Sequence, residues 1–252
     1  MPMRTLAVIV PAYNESTSIR ATLAALAAQT DRDFTLVVVD NASTDDTVAV
    51  VRAFPTPFPV EIVTEPERGA GTAADTGFRH AIANGATLLS RTDADCRPAA
   101  DWVATARRHL TAGADLVCGR STPRRDEQPT LAERYVFPAA VRAAALYGRY
   151  RKAHRQAGFR TPYVLIHGHN LALTADLYQR CGGTAREALE AGSEDVTLLN
   201  RARRHTSRIV RAEDLVVEAS LRRLRAWGAR RTLLWYWDRR WRPDTTAEVH
   251  VR

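Results

Sequence analysis

Short continuous apolar runs alternate with stretches of helical period through the first half of the chain. Residues 6–10 are apolar throughout and stop at Pro11; polar Ser16 and Thr17 then precede Ile19, Leu23 and Leu26, which recur on one side of a helix. The alternation repeats, with a run over 34–39 before Val48, Val51 and Phe54, a short run over 60–63 before a helix over 72–83, and a run over 86–90 before a helix over 102–110. Runs without interleaved polar residues are buried on both faces, and repeated strand–helix units build a parallel sheet covered by helices. A strand over 115–119 closes the regular pattern.

The second half is less regular. Residues 122–129 turn polar and proline-bearing and read as a loop. A helical pattern follows over 131–157, interrupted at Pro138, and carries Tyr135, Phe137, Leu146, Tyr147 and Tyr150. The stretch 163–173 predicts a strand with His167 and His169 on one face, because side chains alternate at period two. Helices over 175–180 and 196–204 precede a last strand over 209–217, and from Ser220 the chain becomes basic and aromatic. A length of 252 residues with 45% hydrophobic content supports a full core, and the absence of a repeat or low-complexity linker favours one α/β domain.

The net charge of +8 raises a nucleic-acid reading, yet no helix-turn-helix, zinc finger or aromatic RNA-binding strand accompanies it, so no nucleic-acid partner is expected. Lys152 is the only lysine, and guanidinium groups suit diphosphate recognition. Cys96, Cys118 and Cys181 are too scattered for a disulfide framework and fit a reducing cytoplasm. Met1 leads into the first strand within a few residues, which leaves no room for a signal peptide, and no apolar stretch nears the roughly 20 residues of a membrane span.

Chemistry concentrates where the predicted strands end. Pro11-Ala12-Tyr13-Asn14-Glu15, Asp40-Asn41 and Asp93-Ala94-Asp95 each follow an apolar run, at the sheet edge where open α/β folds bind ligands. Two carboxylates one residue apart can reach the same small region, and hard divalent cations such as Mn²⁺ or Mg²⁺ are held by one or two carboxylates plus substrate phosphates. Tyr13 can lie against a base, and Asp40 can accept from its ring N–H or from ribose. Gly69, Gly71 and Ala74 also fit the G-x-G-x-x-A dinucleotide fingerprint, so an NAD-dependent oxidoreductase is a rival, although that fingerprint normally opens the first βαβ unit and here follows the third strand.

With Ser193-Glu194-Asp195 far downstream, this order of motifs resembles the family 2 glycosyltransferases of the GT-A fold, over about residues 4–223. The resemblance implies a Rossmann-like, mixed but mostly parallel sheet in a single domain, 1–252. About 1–121 would bind the nucleotide, about 122–219 the acceptor, and 220–252 would form a helical tail. It implies metal-dependent, inverting transfer from a nucleoside-diphosphate sugar to an acceptor hydroxyl. Pro11, Tyr13, Glu15, Asp40, Asn41, Arg68 and Asp93 would serve the nucleotide, Asp95 with Asp93 the cation, and Asp195 would be the base, oriented by Glu194 behind a Gly192-Ser193 turn. His169 and Asn170 would line the acceptor pocket, while Arg222 and Arg223, in a Ser-x-Arg-Arg run, would fold over the departing diphosphate. This chain departs from the family pattern at Asn41, an amide that both donates and accepts and so leaves uracil, thymine and guanine open, and at Cys96, and these departures keep a non-catalytic nucleotide-sugar-binding subunit in play. Arg240-Trp241 lacks the glutamine of the processive Gln-x-x-Arg-Trp signature, so one sugar per encounter is expected. Trp227, Trp235, Tyr236, Trp237 and Trp241 interleaved with arginines suit either peripheral contact with a membrane or packing on the domain or on a second subunit in a homodimer.

Overall fold

The computed structural model describes residues 5–150, 157–184, 186 and 194–238. The first half folds as β1 (Leu6–Ala12), α1 (Ile19–Ala27), β2 (Phe34–Asp40), α2 (Thr47–Ala53), β3 (Val60–Thr64), α3 (Ala70–Ala83), β4 (Leu88–Arg91), a two-residue β5 (Arg97–Pro98) and α4 (Trp102–Thr111). The second half adds β6 (Leu116–Pro123), α5 (Phe137–Tyr150), β7 (Leu171–Thr174), α6 (Ala175–Arg180), α7 (Glu194–His205), β8 (Ile209–Ala219) and α8 (Arg222–Asp238). One sheet runs in the order β3-β2-β1-β4-β7-β6-β8-β5. β1 pairs in parallel with β2 and β4, β2 with β3, and β6 with β8. β7 enters antiparallel between β4 and β6, and β5 closes antiparallel on β8, so the sheet is mixed and mostly parallel.

Alternate residues of β1 feed two cores. Leu6, Val8 and Val10 pack with Leu23, Leu26, Val103 and Leu110, while Ala7 and Ile9 pack with Ala73, Phe78, Leu177 and Leu199. Helices therefore cover both faces, and loss of apolar surface from water holds the layers together. α3 lies so close to the sheet that a Cβ at Gly77 would stand 2.7 Å from the Cγ2 methyls of both Ile9 and Val39. At the start of α3, the Gly69 N–H donates to Asn41 Oδ1 just past β2, at 2.8 Å. Helix and strand ends are thereby fixed along the same edge.

Three departures from the sequence reading have physical causes. The expected strand over 163–173 is extended only at β7, because the preceding backbone is satisfied by a side chain and by a local turn. Arg211 Nη1 donates to Leu165 O at 3.1 Å, and the Asn170 N–H turns back to His167 O at 3.0 Å. β5 is too short to carry a hydrophobic period. Pro138, expected to interrupt a helix, lies within a continuous helical backbone that starts at Leu131, and the π-helical turn over Ala132–Val136 just ahead of it takes up the break that its missing N–H and ring impose on the α-helical ladder. Residues 151–156 of that expected helix, the Gly192-Ser193 turn and Trp241 lie outside the described residues.

Trp227 is buried and lies under the Arg223 guanidinium, 5.5 Å from ring centroid to Cζ, so this first tryptophan of the tail packs on the domain. α8 bends at Gly228, whose φ of 77° suits glycine. No described helix is long and apolar enough to cross a membrane.

Candidate active site

One cleft opens along the sheet edge where β1 and β4 end. It is lined by Pro11, Tyr13 and Glu15 after β1, Asp93 and Asp95 after β4, the turn over 167–169, Glu194 and Asp195 opening α7, and Arg222 and Arg223 opening α8. Residues remote in sequence thus meet because parallel strands deliver their following loops to the same edge.

Next to β1, the Arg68 guanidinium stands over the Tyr13 ring at 4.9 Å. Asn14, at φ 52°, accepts the Thr44 N–H at 2.8 Å and its own N–H reaches Ser43 Oγ at 3.1 Å, tying the loops after β1 and β2. Asn41 lines the cleft, and its amide is held by backbone: Nδ2 donates to Glu65 O at 2.9 Å and Glu67 O at 2.7 Å, and Oδ1 accepts the Gly69 N–H at 2.8 Å, which braces the loop after β3. Asp40 ends β2, accepts the Ser43 N–H at 3.1 Å, and is not among the residues lining the cleft. Gly69 and Gly71 open α3, but the helix follows edge strand β3 and not the first βαβ unit, which disfavours the dinucleotide reading.

Glu15 has a partner that sequence reasoning missed: the Arg222 guanidinium grips its carboxylate with both terminal nitrogens. Arg222 Nη2 also lies 3.0 Å from Asp95 Oδ2. Burial opposes charge on Arg222, but Asp95 and Glu15 more than offset it and raise its pKa above the usual arginine value. Asp95 Oδ1 receives the Cys96 thiol at 3.4 Å, and burial first, then the neighbouring carboxylates, push that thiol well above its ordinary pKa. Cys96 is therefore a neutral filler beneath the acidic pair. The donor set suits a hard divalent cation: Asp93 and Asp95 offer carboxylate oxygens, and no cluster of three ligating side chains exists among the described residues. Such an ion would draw its remaining ligands from phosphate and water, as Mg²⁺-type sites do.

Asp195, which lines the same cleft, is oriented by backbone. Its Oδ2 accepts the Gly168 N–H at 3.2 Å and its Oδ1 the Val196 N–H at 2.8 Å. Beneath it lies Arg91, the last residue of β4 and 3% exposed. His169 lines the cleft, donating to or accepting from Ser121 Oγ at 2.9 Å, and its ring stacks on His167 at 5.2 Å. Burial pushes the pKa of both imidazoles down, that of His167 well below 6.5, so neither supplies a cation at neutral pH. Asn170, expected on the acceptor wall, stands behind it. It is wholly buried, accepts from Trp102 Nε1 at 2.9 Å, and donates to Arg120 O at 2.8 Å and Leu215 O at 2.9 Å. A Cβ at Gly119 would come 2.4 Å from this amide, so the glycine makes room for it. Asn170 joins β6, β8 and α4 behind the site.

Comparison with known proteins identifies the family and the fold. Residues 7–180 match the family model described as Glycosyl transferase family 2. A curated relative, glycosyltransferase AglE of Haloferax volcanii, is 35% identical over 133 residues, covering 51% of this chain and 43% of that protein. An uncharacterized glycosyltransferase of Mycobacterium tuberculosis is 32% identical over 148 residues, covering 59% of this chain and 60% of its own. The chain thus spans about half the length of the curated relatives it matches. Among solved structures, a mannosyltransferase of Pyrobaculum calidifontis in complex with GDP-Man and Mn²⁺ superposes with a TM-score of 0.64 at 24% identity, covering 98% of this chain and 68% of that one. Glucosyl-3-phosphoglycerate synthase of Mycobacterium tuberculosis, with Mn²⁺, UDP-Glc and phosphoglyceric acid, gives 0.58 at 20% identity over 92% of this chain and 79% of that one. At these identities the solved structures establish the shared fold.

Proposed function

Because the chain belongs to glycosyl transferase family 2, we propose that it moves one sugar from a nucleoside-diphosphate sugar to an acceptor hydroxyl, inverting the anomeric centre in a single displacement. The observation that carries this reading is the meeting of two carboxylate pairs, Asp93 with Asp95 and Glu194 with Asp195, in one cleft that Tyr13 also lines. The nucleoside lies against Tyr13 beside Arg68. Asp95 with Asp93 would hold a divalent cation, Mn²⁺ or Mg²⁺, which would supply positive charge for the diphosphate. Neighbouring folds hold a nucleotide sugar together with Mn²⁺, which supports both assignments. Arg222 and Arg223 add guanidinium charge to the leaving group, where charge develops in the transition state; Arg222 reaches it by releasing Asp95.

Asp195 takes the proton of the acceptor hydroxyl, its carboxylate already aimed by two backbone N–H groups. The acceptor rests against His169 and an apolar wall of Phe137, Pro138, Val141 and Leu165. A binding-only subunit has no need of an oriented carboxylate facing the donor site, which is why transfer is preferred. A thermal-shift screen of UDP, GDP, TDP and CDP, with and without Mn²⁺, tests the reading. A ligand at 100 times its Kd stabilises by about 2.7 kcal/mol, worth roughly 5–10 °C in Tm for a chain of this size. One nucleotide is expected to produce such a shift only with the cation present. No shift with any of the four would count against the proposal.

A further inference from the structure

Arg91 is a buried guanidinium on a central strand, in register with Ile9 of β1 and Leu171 of β7. Such a charge is tolerated only when its partners converge on it. Its Nε donates to Asp93 Oδ1 at 3.2 Å, and the single nitrogen Nη2 lies 3.2 Å from Asp93 Oδ1 and 3.8 Å from Glu194 Oε1. A Cβ at Gly168 would sit 3.5 Å from Cζ, Nη1 and Nη2, at van der Waals contact, so the backbone turn that donates to Asp195 passes directly over the guanidinium. Burial works against the charge, while Asp93, Glu194 and Asp195 together more than offset it. Both halves of the cleft therefore rest on one cation.

We propose that Arg91 is a positioning residue for the transfer: it holds Glu194, and with it the first turn of α7 that carries Asp195, in fixed relation to Asp93 on the donor side. This rests on the transfer reading above. The cation gives the donor carboxylates and the base carboxylates a common anchor, so the sugar's anomeric carbon and the attacking hydroxyl are presented in one geometry. Without it, carboxylates that now share a counter-charge repel one another, and α7 shifts from the DxD loop. Misplacement of about 1 Å costs on the order of 100-fold in rate.

The test compares Arg91→Met and Arg91→Lys with the wild-type protein in donor kinetics, and measures Mn²⁺ affinity calorimetrically with no nucleotide present. Arg91→Met is expected to lose about 100-fold in kcat with donor KM nearly unchanged, and to bind Mn²⁺ at least about tenfold more tightly because an opposing charge is gone. Arg91→Lys keeps the charge but loses the planar fork; it should hold wild-type Mn²⁺ affinity and recover part of kcat. A folded Arg91→Met protein with wild-type kcat and Mn²⁺ affinity overturns the proposal. If the methionine variant does not fold, Arg91→Lys decides: lowered kcat at constant KM supports the role, and wild-type kcat refutes it. Absence of donor turnover in the wild-type protein would remove the transfer reading itself, a result distinct from wild-type turnover that Arg91 does not influence.

Discussion

Asp195→Asn is expected to lower turnover by a factor on the order of 10²–10⁴, the usual contribution of a positioned base, while nucleoside-diphosphate affinity stays at the wild-type value. The asparagine side chain is nearly isosteric, and its Oδ1 can still accept from Gly168 or Val196, the two backbone donors that aim the native carboxylate. The opening turn of α7 is thus retained. What the amide cannot do is take a proton. Steady-state kinetics on the donor, paired with calorimetric binding of the nucleotide, separates the two effects. Equal loss of binding and turnover would show that Asp195 holds the donor; unchanged turnover would mean that the base lies elsewhere.

Asp95→Ala should act on the other half of the site. Partners one shell removed from a metal typically cost 10- to 100-fold in affinity when changed, so losing a direct carboxylate ligand should weaken cation-dependent nucleotide binding by at least about 100-fold. Arg222 would keep its two-pronged hold on Glu15 and lose only its contact with Asp95. The variant should therefore remain folded, with nucleotide affinity that no longer responds to Mn²⁺. Calorimetric titration of the nucleotide with and without the ion reads this directly, and a variant whose affinity still rises with Mn²⁺ would show that another group holds the cation.

Legibility in the sequence followed burial. Strands of a parallel sheet are apolar on both faces, so the first polar residues after them, Tyr13, Glu15, Asp93 and Asp95, stood out at the edge where the cleft forms. The pair Glu194 and Asp195 was legible only through its order relative to those motifs, since alone it reads as the acidic first turn of a helix. Amides were harder. Asn41 lines the cleft and Asn170 lies behind it, yet the Nδ2 group of each donates to two backbone carbonyls brought close by distant segments, and an amide that reads a ligand has the same local pattern as one that braces a loop. Arg91 was hidden for a similar reason: at the end of an apolar run it looks like the strand's exit into solvent, and only the arrival of α7 shows that it is enclosed. The bond from Arg222 to Glu15 joins the two ends of the fold, and no spacing rule spans that distance.

The central claim is that a single cleft binds a nucleoside diphosphate through a cation on Asp95 and faces it with Asp195. Anomalous diffraction at a manganese-sensitive wavelength, from crystals grown with Mn²⁺ and the nucleotide selected by thermal shift, measures this most directly. The account predicts one manganese peak at direct-ligand distance from Asp95, bridged to the diphosphate, with the base against Tyr13 and the Asp195 carboxylate across from the terminal phosphate. Manganese away from Asp93 and Asp95, or a nucleotide bound outside the cleft that holds Asp195, would contradict it.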